Sequence, residues 1–114
     1  MANLPNETIT TVLNLERRLL QLINEATAAG FIILEQYGET EATITDLEIL
    51  QNARERSTSY YIRLYRLLLQ ISESQPVATS ATLNLLAQSI EETQAIADAG
   101  EATVQEAKRD FNLP

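Results

Sequence analysis

Between residues 12 and 33 the side chains Val12, Leu15, Leu19, Leu22, Ala26, Ala29 and Ile33 recur at alternating gaps of three and four. That spacing keeps one face of an α-helix continuously apolar and does not fit the two-residue alternation of a strand. A second set, Leu13, Leu20, Ile23 and Leu34, widens the stripe on one side. A surface helix in a three-helix monomer needs one apolar face. This stripe covers two, so the helix is either central to a larger bundle or half of an interface.

Punctuation is sparse. The chain has three Gly and three Pro in 114 residues, which favours a few long helices over many short elements. Pro5 suits a first helical turn, where its missing N–H is no loss, and Gly38 suits a C-terminal cap. Helix 1 is therefore predicted from about Pro5 to about Tyr37. Gly30 interrupts it, and an interior Gly costs about 1 kcal/mol relative to Ala, so it marks either a break or a close helix approach. Residues 38–44 form the first connection, and Thr45-Asp46-Leu47-Glu48 has the pattern of a capping box at the start of helix 2.

Helix 2 is expected to reach Ser72, with a seam of Leu47, Leu50, Arg54, Ser57, Tyr61, Leu64, Leu68 and Ile71. Pro76 lies in the second connection, and Thr79 or Ser80 caps helix 3, which continues to about Phe111. The helix 3 seam holds a coiled-coil-like heptad spacing: Leu83, Leu86, Ile90, Thr93, Ala97, Gly100, Val104, Ala107, Phe111. Its second half is small. At roughly 25 cal/mol per Å² an alanine seam stabilises far less than a leucine seam, so these turns are expected to fray unless a partner holds them.

Residues 1–114 are thus read as a single all-α domain: an up-down-up antiparallel bundle of three long helices, or four if helix 1 breaks at Gly30. Helices of roughly 40–50 Å with short connections give a rod with little core for its surface. Together with the wide stripe this predicts self-association, most simply a homodimer.

The composition removes several classes of chemistry. There is no Cys and no His, so disulfides, thiolate metal sites, the usual general base and Glu-x-x-His di-iron motifs are all ruled out. A net charge of −8 is unfavourable for nucleic acid, whose binding depends on displacing phosphate counterions. Uninterrupted apolar runs such as Phe31 to Leu34 are far shorter than the roughly 20 residues of a membrane span. No basic-then-apolar leader opens the sequence, which leads to a cytoplasmic expectation.

Two charges fall inside apolar seams. Glu16 lies among Ile9, Val12, Leu19, Leu20 and Ile23, and a buried carboxylate must be paired or protonated. An antiparallel hairpin points to Arg63 or Arg66 as its partner, with a register-fixing role ahead of a catalytic one. Arg54 is the counterpart on helix 2, expected to bridge to Asp98 or Glu101 or to snorkel.

The stretch from Ser59 to Arg66 concentrates aromatic and cationic residues. Tyr61 and Tyr65 are assigned to the core, while Tyr60, Arg56, Arg63 and Arg66 form a candidate partner-binding face. The acidic residues of helix 3, with Asp98 and Glu101 one turn apart, carry some resemblance to all-helical, magnesium-dependent nucleotide pyrophosphohydrolases, but the second acidic pair of that pattern is not evident. A solvated acidic face explains them better. The expectation is a non-enzymatic, acidic protein–protein interaction module without cofactor or metal, acting as a homo-oligomer. The alternatives are the magnesium enzyme and a structural subunit of a larger assembly.

Overall fold

The computed structural model describes residues 4–114 as three helices, α1 (Asn6–Tyr37), α2 (Ile44–Ser72) and α3 (Ser80–Asp110). All three pack against one another in a rod of 56 × 20 × 18 Å. The chain runs up, down and up, so α1 and α3 are parallel and α2 is antiparallel to both. Among the described residues no helix is long and apolar enough to cross a membrane.

α1 is continuous through Gly30, so the four-helix alternative does not occur. A Cβ added at Gly30 would meet nothing within 4 Å, so close packing is not the reason for this glycine either. Close approach occurs instead at Gly100 on α3, where a Cβ would lie 2.5 Å from Leu22 Cδ2. α1 ends at Gly38, which takes φ +70° and donates its N–H to the Leu34 carbonyl. With ψ −174° this is an extended, positive-φ conformation open to Gly, and not the left-handed helical cap expected of a terminating Gly.

The proposed capping box at Thr45 does not form, because α2 begins earlier, at Ile44. The connection is organised by the buried Thr43, whose hydroxyl donates to the Gly38 carbonyl (2.8 Å) and accepts the Thr40 N–H (2.9 Å). A side chain that ties the loop to itself is not available to cap the next turn. At the second connection Thr79 is the N-cap, its hydroxyl accepting from the Thr82 N–H at 3.2 Å.

The seven-residue stripe that defined helix 1 is the core, every member at most 3% exposed. The core is unequal along the rod. Near the N-terminus and the second connection Val12, Leu15, Leu64, Leu67, Ile71 and Leu86 pack together. Near the first connection Leu22, Ala26, Ala29, Ile33, Leu50, Val104 and Ala107 do so. Small residues in this second cluster allow the helices to come close. The second half of α3, expected to fray or await a partner, is helical to Asp110 and is held by α1 of the same chain. At its end Phe111 meets Tyr37 with ring centroids 5.4 Å apart.

Candidate functional site

The three grooves between the helices differ in how they are finished. Along α1/α3, Arg18 forks onto two carboxylates. Its Nε and Nη2 donate to Glu101 at 3.1 and 2.8 Å, and Nη2 donates to Asp98 at 2.7 Å. These bonds hold the guanidinium in its charged form more firmly than usual. Further along, Lys108 Nζ lies 4.0 Å from Glu25. No sequence pattern singles out Arg18, because the register between the first and third helices depends on both connections and is not set by periodicity alone.

Arg18 occupies the carboxylates that had been assigned to Arg54. Arg54 is not in the α2/α3 seam. It lines a cleft of about 400 Å³ between α1 and α2, with Glu55 at 4.0 Å as its ion-pair neighbour. At 100° per residue Arg54 is turned away from Ala53 and Arg56, which do face α3, and the predicted bridge to Asp98 or Glu101 is out of reach.

Glu16 is buried as expected, at 8% exposure, but its partner is Tyr61 and not Arg63 or Arg66. Two residues beyond Tyr61 the helix has turned about 200°, so Arg63 points to α3. Burial pushes the Glu16 carboxyl above its ordinary range, opposed by the hydrogen bond from Tyr61. The nearby carboxylate in turn raises the Tyr61 hydroxyl. A neutral donor cannot offset desolvation as an arginine would.

The candidate partner-binding residues are only partly brought together. Arg63 pairs with Glu92 at 3.0 Å and stacks over Tyr60, 4.9 Å from the ring centroid. Arg63 and Arg66 line an α2/α3 cleft of about 550 Å³ with Ile62, Leu67 and Leu85. Arg56 lines a separate, smaller one beside Ile96 and Gly100. Tyr65, assigned to the core, is 51% exposed on the α1 side of α2.

The α1/α2 side is different. Leu13 (55%), Leu20 (52%) and Phe31 (63%) stand in solvent together with Leu34 on α1, and Tyr65 and Leu69 do so on α2. Their helical phases place them on the flank where α1 and α2 adjoin. Ala26, Gly30, Leu47 and Leu50 line the cleft within this face. The flank that widened the stripe in the sequence is therefore outside the monomer's core. Among the described residues no three carboxylates cluster to hold a metal ion, and Asp98 and Glu101 both engage Arg18.

Compared with known protein families, characterised proteins and solved structures, the chain matches none.

Proposed function

We propose that the protein is a non-enzymatic interaction module that works as a homo-oligomer, with the α1/α2 face as its association surface. The observation that carries this reading is the contrast among the three grooves. Among the described residues interhelical ion pairs cross the two grooves that involve α3, and none crosses the third. Its flank carries Leu13, Leu20, Phe31, Leu34, Tyr65 and Leu69, more exposed large apolar side chains than the α2/α3 cleft with Ile62 and Leu85. Scattered apolar residues on a surface are ordinary, but a contiguous patch rimmed by polar groups marks an interaction site.

The surface area supports the same conclusion. The chain exposes 7278 Å², while a compact monomer of its 12.7 kDa exposes about 6,200 Å². A standard interface removes about 800 Å² from each partner, so the excess is of the size that one association would cover. Tyr60, Arg63 and Arg66 lie at the α2/α3 groove, apart from that face, and remain open to a second protein partner.

Light scattering coupled to size exclusion at tens of micromolar tests the reading. The expected mass is that of two chains, falling to one in Leu13→Glu/Leu20→Glu with unchanged helicity by circular dichroism. A monomeric wild-type chain overturns it.

A further inference from the structure

We propose that the α1/α2 face packs on the same face of a second copy with the rods antiparallel, about a two-fold axis passing close to Leu20. The arrangement rests on the self-association reading and adds what that reading leaves open: which end meets which.

Shape supplies the first constraint. Gly30 opens a hole in the face, since a Cβ there would touch nothing within 4 Å, and Ala26, Leu47 and Leu50 line the surrounding cleft. Leu13 projects from the same flank of α1, roughly 25 Å away at 1.5 Å per residue. A self-complementary interface must match each projection with a recess on its copy. A two-fold axis midway between Leu13 and Gly30 does this twice, seating each Leu13 in the other copy's Gly30 cleft. That midpoint falls between Gln21 and Leu22, and Leu20 is the exposed apolar side chain of α1 nearest to it.

Charge supplies the second, independently. With like ends together, Glu35, Glu39 and Glu41 of both copies crowd at the loop end, where like charges disfavour association, whereas antiparallel rods keep the two loop ends apart.

Single cysteines introduced into this cysteine-free chain test the order. A disulfide needs Cα atoms within about 7 Å, so the pattern reports which residues meet. Leu20→Cys alone is expected to give a disulfide-linked dimer on mild oxidation. Leu13→Cys and Phe31→Cys are expected to link when mixed and not when oxidised separately. Gly30→Leu, which fills the hole, should weaken dimerisation by about ten-fold or more without loss of helicity.

A chain that is dimeric by light scattering but links Leu13→Cys to Tyr65→Cys, and not to Phe31→Cys, has like ends together. That result overturns the antiparallel order and leaves self-association standing. A wild-type chain that stays monomeric overturns both.

Discussion

Leu20 and Leu22 are the same residue type on the same helix, yet one is 52% exposed and the other 2%. Leu22 faces α3 across a seam of small residues, where Gly100 lets it approach closely and Arg18 with Asp98 and Glu101 closes the rim. Leu20 faces away from the core, on the flank shared with Leu13, Phe31 and Tyr65. In the α1/α3 seam small residues are complemented by a large neighbour within the chain. On the α1/α2 flank large residues have no such complement within it. Hydrophobic content alone thus does not say where a core is; what faces each apolar side chain does.

The contrast can be broken most strongly at Leu22. Leu22→Ala should cost about 2–5 kcal/mol in chemical denaturation, through lost burial and the cavity left behind. Leu20→Ala should stay within about 0.5 kcal/mol in a sample dilute enough to be monomeric. Equal effects would mean the two flanks are equally packed.

The two interior glycines sharpen the comparison. Gly100→Leu should destabilise by about 1–3 kcal/mol, because even a Cβ collides with the buried Leu22. Gly30→Leu should instead raise the melting temperature of the monomer by the equivalent of up to about 1 kcal/mol, since a helix former replaces Gly in open space.

Glu16 gives a smaller, pH-dependent effect. Its folded-state pKa lies above the ordinary value of 4.5, so between the two values the folded chain holds more protons than the unfolded one. Stability from this group therefore falls as pH rises through that window. Glu16→Gln should be more stable than wild type at pH 7, and the difference should vanish below pH 4.5, as followed by urea denaturation across pH. A small, salt-dependent effect is expected for Arg18→Ala. Its partners are largely solvent-exposed, so the loss should be at most about 1 kcal/mol and should shrink with added salt.

Much of the fold was legible because it depends on local periodicity. The stripe from Val12 to Ile33 named the α1 core residue by residue, and Gly38, Thr79 and Ser72 mark boundaries where the sequence placed them. The errors share a cause. Glu16 with Arg63 or Arg66, Arg54 with Asp98 or Glu101, and a core Tyr65 all required knowing which side of α2 faces which neighbour. An error of one residue in register rotates a side chain by about 100°, enough to move it from one groove to the next. Thr45 was misplaced for another reason: Thr43 makes a loop contact that no linear pattern announces.

The sequence by itself determined three long helices, their approximate ends, the apolar line of α1, the acidic balance and the absence of Cys and His chemistry. Each follows from spacing or composition, which act within a turn or over the whole chain. Only the tertiary structure decided that Arg18 closes the α1/α3 seam, that Glu16 meets a tyrosine, and that the widened flank of α1 stays outside the core. Those depend on the rotation and axial offset of one helix against another, which the packing of all three sets together.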